Sequence, residues 1–259
     1  MERVLEKIVA ASRRELALRK TAVPATELER KLDGLPPVRD FRAALTAPGM
    51  QVIAELKAAS PSKGIIRQPL EVEALAVELE RSGAAALSVL TERNYFLGGL
   101  ENLERARKVV ELPLLRKDFI YDEYQILEAR VAGADAVLLI AAMLAPEEYR
   151  RLQKFAESLG LAVLSEAHTA GEIAMLLDNG ASIIGVNARN LSTFVTDLGV
   201  VAELMGRIPA DKVRVSESAL KSNADLKQMK RLGADAFLIG ETLMRAASPG
   251  EKLCELIAK

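Results

Sequence analysis

Charged and polar side chains recur wherever a short, β-rich apolar run gives out. Glu55-Leu56-Lys57 closes one such run, Lys117 a second, Glu166 a third, Asn187 with Arg189 a fourth, and Ser216-Glu217-Ser218 a fifth. Residues two apart on an extended chain point to the same side, so Glu55 and Lys57 read as neighbours. Cations interleaved with carboxylates suit proton transfer on a charged substrate. An ammonium flanked by carboxylates stays protonated and can donate, and a carboxylate beside cations stays ionised unless burial raises its pKa. Any one of these groups alone reads equally well as a solvated strand end. Five of them on one face form a mouth with both acids and bases in it.

The remaining composition narrows the chemistry. The 259 residues hold one histidine, His168, and one cysteine, Cys254. That excludes an internal disulfide, a cysteine-based zinc cluster and a multi-histidine metal site. Lys plus Arg is 35 and Asp plus Glu is 36, a formal net charge of −1, so the basic excess of a nucleic-acid binder is missing. Chemistry is left to Lys, Arg, Glu, Asp, Asn and Ser.

Elements must bring these groups together. After about residue 47 the chain alternates β-rich runs with helical periodicity. Eight strand cores are expected: Val52–Glu55, Ala85–Leu90, Leu114–Lys117, Ala136–Ile140, Ala162–Glu166, Ile183–Asn187, Val213–Ser216 and Ala236–Ile239. Helical patterns lie between them at Leu70–Ser82, Glu123–Ala132, Pro146–Leu159, Ala170–Asp178 and Ala224–Leu232. Glycines end several of these helices, and Gly-Ala-Asp-Ala recurs at Gly133–Ala136 and Gly233–Ala236 as a faint repeat of the βα unit. Strand followed by helix implies parallel pairing with helical crossovers. An open doubly wound sheet and a closed barrel both satisfy that pattern. Eight units in a chain near the ~250 residues typical of the closed form favour an α/β fold of the (β/α)8 TIM-barrel type. The absence of Gly-x-Gly-x-x-Gly after the first strand, and of a Walker loop, weakens the open dinucleotide-binding alternative. Residues 1–47 read as an N-terminal helical extension with a proline-containing break at Gly34–Val38, so residues 1–259 are expected to form one barrel domain.

In such barrels active sites sit at the C-terminal ends of the strands, where the charges fall. The loops after strands seven and eight commonly bind phosphate; here they read Glu217-Ser218-Ala219-Leu220 and Gly240-Glu241-Thr242. The loop after strand one, Ser60-Pro61-Ser62-Lys63-Gly64, adds hydroxyls and a cation, although Pro61 makes a turn there in any case. His168 is read as structural or solvent-facing in preference to a general base, and Cys254 as a packing residue of a terminal helix. Tyr95-Phe96 either packs on a substrate ring or plugs its loop into the rim.

The longest apolar run, Ala136 to Ala145, is far short of the ~18 residues that span a bilayer, and the mixed-charge N-terminus reads as a surface helix. A cytoplasmic monomer is expected, with a small phosphorylated molecule as its ligand and no nucleic-acid or membrane partner.

The segment Ile53-Ala54-Glu55-Leu56-Lys57-Ala58-Ala59-Ser60-Pro61-Ser62-Lys63-Gly64 resembles the signature of indole-3-glycerol-phosphate synthases. The resemblance continues through Leu90-Thr91-Glu92, Tyr95-Phe96 and Leu115-Arg116-Lys117-Asp118-Phe119-Ile120, then Gly185-Val186-Asn187-Ala188-Arg189-Asn190-Leu191, Ser216-Glu217-Ser218 and Phe237-Leu238-Ile239-Gly240. It implies a (β/α)8 barrel with an N-terminal extension, acting in tryptophan biosynthesis. The implied reaction converts 1-(2-carboxyphenylamino)-1-deoxyribulose 5-phosphate to indole-3-glycerol phosphate, carbon dioxide and water, a carboxy-lyase reaction without metal or organic cofactor. By the resemblance, Lys117 is the general acid of ring closure. Glu166 is an acid/base residue, with Glu55 and Lys57 as the neighbouring pair. Lys57 and Arg189 hold the carboxylate, and Asn187 fixes a hydroxyl or orients Glu166. Pro61, Glu217 and Ser218 shape the substrate site, and Phe96 and Leu191 form the aryl slot. Ser60, Ala219, Gly240 and Glu241 surround the phosphate. The sequence departs from the family pattern at Ala219, where glycine is expected, and at Glu241, where a small hydroxyl residue is common and whose side chain is expected to point away. It departs also at Ala188, in place of a frequent asparagine. Another phosphosugar barrel enzyme, such as an isomerase, and a silent ligand-binding barrel remain the alternatives; isomerase chemistry in the neighbouring step calls for a cysteine, and Cys254 lies beyond the last strand.

Overall fold

The structure is a computed structural model that describes residues 4–187 and 198–258. Among these residues eight parallel strands close into a barrel in sequence order. They are β1 (Gln51–Leu56), β2 (Ala86–Leu90), β3 (Leu114–Lys117), β4 (Ala136–Ile140), β5 (Ala162–Ala167), β6 (Ile183–Asn187), β7 (Val213–Glu217) and β8 (Ala236–Ile239). The register runs continuously around the ring; Leu90 lies opposite Lys117, Ile140 opposite Glu166, and Asn187 opposite Glu217. The expected strands are all present, each within a residue or so of its predicted ends.

Helices α1 (Val4–Ala22), α2 (Ala25–Leu32) and α3 (Phe41–Thr46) precede the barrel, with the expected break between the second and third. Phe41 and Leu45 of α3 are fully buried against Ile53, Ala86 and Val213, and α3 thereby closes the end at which the strands begin. The first helix is fastened to the barrel's third unit: Ser12 Oγ lies 3.3 Å from Tyr121 Oη, Lys20 pairs with Asp122 at 2.6 Å, and Arg19 pairs with Glu128 at 2.7 Å.

The outer ring comprises α4 (Val72–Arg81), α5 (Leu100–Arg107), α6 (Glu123–Val131), α7 (Pro146–Ser158), α8 (Ala170–Asp178), α9 (Leu198–Met205), α10 (Asn223–Arg231), α11 (Glu241–Arg245) and α12 (Pro249–Ile257). Outward-facing strand residues such as Val52, Leu87, Leu139 and Phe237 pack beneath these helices, while Ile53, Leu115, Leu164 and Val215 fill the barrel. None of the described helices is long and apolar enough to cross a membrane. The Gly-Ala-Asp-Ala repeat has a shared structural job. Gly133 and Gly233 take φ of 89° and 98°, the left-handed turn that lets the chain leave a helix and enter a strand. Two residues later Asp135 and Asp235 each accept a backbone N–H from the first two residues of the preceding strand, that of Leu114 and that of Arg214, both at 2.8 Å.

The structure also corrects the sequence reading. Helix α5 was not foreseen: Glu101, Glu104, Arg105 and Arg107 crowd a short segment in which only Leu103 and Ala106 are buried, leaving little periodic signal. The loop after β1 folds back as a small antiparallel hairpin, Ala59–Ser60 against Gly64–Ile65. Cys254 is exposed and not a packing residue, because α12 turns Leu253 and Leu256 inward and carries Cys254 to the other face.

Candidate active site

Side chains inside a barrel of this kind stack in layers of four, and each layer draws on alternate strands. At the mouth the odd strands supply Glu55, Lys117, Glu166 and Glu217 (from β1, β3, β5 and β7), all of them ionisable. The even strands supply Leu90, Leu138, Ile140 and Leu238, with Asn187 as the polar exception. Charge and apolar surface therefore alternate around one cavity of about 560 Å³, within the range of small-molecule sites.

The charged layer is tightly coupled. Lys117 Nζ lies 2.9 Å from Glu166 Oε2 and 3.5 Å from Glu217 Oε2. Lys57 Nζ donates to Glu55 Oε1 within the same buried group. Burial opposes the charge on Lys117, but Glu166, Glu217 and Glu55 outweigh it and hold the ammonium above the ordinary lysine range. Burial likewise opposes ionisation of Glu166, and Lys117 and then His168 overcome it, so Glu166 titrates well below the usual carboxylate range. Burial drives Glu217 the other way, up to about 8, because Lys117 only partly offsets it and Glu166 adds to it. Two carboxylates competing for one cation have thus been pushed apart, one toward a base and one toward a neutral acid. Both Glu217 oxygens are buried, and neither meets a hydrogen-bond donor in good geometry among the described residues.

Backbone close approaches make room for these groups. A Cβ on Gly185 of β6 would overlap Glu217 Oε1, and a Cβ on Gly240, after β8, would overlap Glu55 Oε1. Arg116, next to Lys117, alternates to the outside of the barrel and is buried there. Its guanidinium donates to Gln125 O at 2.6 Å, Asp118 Oδ2 at 3.0 Å and Thr91 Oγ1 at 3.1 Å. Asp118 also accepts from Thr91 at 2.5 Å and from the Phe119 N–H at 2.8 Å. This satisfied ionic knot fixes the end of β3, and with it both Lys117 and Phe119.

The aryl-sized end of the cavity is built from Phe96 and Phe119, whose ring centroids are 6.1 Å apart and tilted by 43°. The buried Glu92 carboxylate accepts the N–H groups of Asn94, Tyr95 and Phe96 at 3.0, 2.7 and 3.0 Å, which folds this loop around one anion. Phe96 O in turn accepts from Ala59 N at 3.2 Å and joins the first and second loops. Phe96 therefore lines the cavity wall as well as packing at the rim.

At the opposite end lie Ser218, Ala219, Lys221, Gly240, Glu241, Thr242 and Arg245. Ser218 and Ala219 take φ of 67° and 61°, so the position at which the family pattern has glycine is indeed a left-handed one. Ser218 Oγ donates to Asn187 Oδ1 at 2.7 Å, and Thr242 Oγ1 to Leu220 O at 2.7 Å. Glu241 lines the wall, and its carboxylate lies along α11, 3.0 Å from Arg245 Nε, which also lines it.

Of the residues singled out in the sequence, Glu55, Lys57, Pro61, Phe96, Lys117, Glu166, Asn187, Glu217, Ser218, Ala219, Gly240 and Glu241 converge on this cavity. Ser60 does not join its wall. Pairing with Gly64 in the hairpin buries Ser60, and its hydroxyl has no partner among the described residues. Arg189 and Leu191, like Ala188, lie outside the described residues. Lys63, the cation noted in the loop after β1, also lines the cavity; sequence reasoning missed Phe119, Leu138 and the cations Lys221 and Arg245. Phe119 follows Lys117 by two residues at a strand end, which is the one signal that pointed to it.

The chain is similar to known proteins over nearly its whole length. A family model described as indole-3-glycerol phosphate synthase matches residues 5–256. The chain is 46% identical to the indole-3-glycerol phosphate synthase of Alkaliphilus metalliredigens (strain QYMF), over 98% of this chain and 97% of that protein. It is 48% identical to the one of Koribacter versatilis (strain Ellin345), over 99% of this chain and 100% of that protein. Among solved structures, 3-hexulose-6-phosphate synthase from Salmonella typhimurium superposes with a TM-score of 0.65 at 15% identity, covering 80% of this chain and 96% of that one. At that identity the likeness shows the fold alone.

Proposed function

The chain belongs to the indole-3-glycerol phosphate synthase family, and on that premise we propose how its cavity turns 1-(2-carboxyphenylamino)-1-deoxyribulose 5-phosphate into indole-3-glycerol phosphate, carbon dioxide and water, a step of tryptophan biosynthesis. The observation that carries the reading is the ammonium of Lys117 held between Glu166 and Glu217 at the centre of a cavity that is apolar at one end and cationic at the other.

The aryl ring packs against the Phe96–Phe119 pair, whose rings are in contact with each other. The phosphate lies toward Ala219 and Gly240, with Lys221 and Arg245 adding positive charge there. The ribulosyl chain then crosses the charged layer. Lys57, with Arg189, holds the carboxylate, Glu217 and Ser218 take sugar hydroxyls, and Asn187 is fixed by Ser218 to do the same or to orient Glu166.

Ring closure forms a bond between the aryl carbon bearing the carboxylate and the ribulosyl carbonyl carbon. The carbonyl oxygen gains negative charge as the bond forms, and Lys117 delivers its proton there. Loss of carbon dioxide returns its bonding pair to the ring and restores aromaticity. Dehydration then needs one group to protonate the departing hydroxyl and another to take a proton from the adjacent carbon. Glu166 serves this step, with Glu55 and Lys57 as the neighbouring pair. The overall change makes the protein a carbon–carbon lyase.

Incubating the purified protein with this substrate, without added metal, tests the reading directly. Growth of indole fluorescence supports it; a well-folded protein that gives none contradicts it.

A further inference from the structure

Glu166 has a basic side chain beside each of its oxygens. Lys117 lies 2.9 Å from Oε2, and Nε2 of His168 lies 3.4 Å from Oε1. His168 is held in turn from its far side. Its Nδ1 is 3.7 Å from Oε2 of Glu172, and its backbone N–H donates to that same oxygen at 2.6 Å. Glu172 stands in the first turn of α8, its own N–H bonded to Thr169 Oγ1 at the helix cap. The run Glu166-Ala167-His168-Thr169-Ala170-Gly171-Glu172 thus folds a strand end, a cap and a helix start into one carboxylate–imidazole–carboxylate line.

His168 is not a substrate contact. Its side chain is only 11% exposed and it is absent from the cavity wall. Neither ring nitrogen makes a hydrogen bond in good geometry among the described residues, so Glu166 and Glu172 face the ring as ion-pair partners at 3.4 and 3.7 Å. The charged groups facing the ring, among the described residues, are Glu166 of β5, Glu172 of α8 and Lys117 of β3. Burial opposes a charge on the ring, yet Glu172 and Glu166 outweigh it and keep His168 above the ordinary histidine range. The terminal torsion of a glutamate is broad, so a carboxylate held by one partner still swings about its last bond. Partners on separate oxygens remove that freedom.

We propose that His168, as an imidazolium anchored by Glu172, is a positioning residue that fixes Oε1 of Glu166 and so keeps Oε2 turned toward Lys117 and the substrate. The inference rests on Glu166 acting as acid/base in the reaction above.

One histidine in the chain makes the test direct, because the imidazole NMR signals of untagged protein belong to His168 alone. The expected titration midpoint lies above the ~6.5 of a free histidine and falls in both Glu166→Gln and Glu172→Gln. In steady-state assays His168→Ala lowers kcat by about 10-fold or more with KM nearly unchanged, and moves the acid limb of the pH–rate profile to higher pH. His168→Gln supplies a neutral N–H donor of similar reach beside Oε1, and restores part of kcat while the acid limb stays displaced. A midpoint at or below ~6.5 that ignores both glutamate variants overturns the geometry. A folded His168→Ala protein with kcat and acid limb unchanged overturns the positioning role. If His168→Ala does not fold, Glu172→Gln carries the kinetic test: reduced kcat at steady KM supports the role, and wild-type kinetics overturn it. Full activity in Glu166→Gln is a different result, which removes the acid/base reading and leaves the NMR outcome to judge the contact.

Discussion

Lys117 and Glu166 meet at 2.9 Å across the barrel mouth although β4 stands between their strands. The contact follows from the layer rule: side chains of alternate strands share a level, so β3 faces β5 and β7, and not its bonded neighbours. The same rule places Glu55 and Glu217 in the level and puts the leucines of even strands around them. Acid–base chemistry and an apolar wall therefore come from one alternation.

Gly185 tests how closely that layer is fitted. Glycine there leaves space that Glu217 Oε1 occupies. Gly185→Ala should push the Glu217 side chain off its position while the strand, buried on both faces, persists. Misplacement by about 1 Å can cost on the order of 100-fold in rate, and kcat of the folded variant is expected to fall by about that factor. Activity near wild type would show that Glu217 is not fixed by this packing.

Ala219 is a point of strain. A non-glycine residue in the left-handed region costs roughly 1–2 kcal/mol, and glycine returns about 0.5–1 kcal/mol of that as backbone entropy. With φ of 61° at this position, Ala219→Gly should stabilise the protein by about 0.5–1 kcal/mol, read as a higher denaturation midpoint in urea with an unchanged slope. An unchanged or lowered midpoint would contradict the strain.

Glu217 should leave a mark on stability against pH. Burial raises its folded pKa to about 8, above the 4.5 of the unfolded chain. Between those values the folded state keeps a proton that the unfolded state has released, so stability falls as pH rises through this window. Glu217→Gln removes that dependence: its Tm should fall less than that of the wild type between about pH 5 and pH 8. Parallel Tm curves for the two proteins would show that Glu217 is ionised throughout.

Much of this site was legible in the sequence, and the physical reasons are local. Lys117, Glu166 and Glu217 each end a β-rich run, and Glu55 and Lys57 share a side at spacing two; such signals survive without knowledge of the fold. The pairing of Lys117 with Glu166 was not legible, because it arises only when the barrel closes. Phe119 was missed for a related reason: an apolar residue just past a strand has no period that separates a ligand slot from a core. Lys221 and Arg245 look like solvated surface cations until the loops after β7 and β8 are folded over the cavity. Ser60 lies off the cavity wall for a reason that is also not legible. Its hydroxyl beside Pro61 suggested a binding loop, and cross-strand pairing with Gly64 buried it. His168 reads from the sequence as structural or solvent-facing; its ring is buried beside Glu166 and off the cavity wall, and that contact is one a residue list cannot show.

The central claim is that Lys117 delivers the proton of ring closure. The most direct measurement compares Lys117→Ala with the wild type in turnover, by indole fluorescence, and in substrate affinity, by calorimetry under conditions where the variant does not react. The account predicts a loss of about 100-fold to 10,000-fold in kcat with substrate binding still measurable. Turnover within a few-fold of the wild type would contradict it.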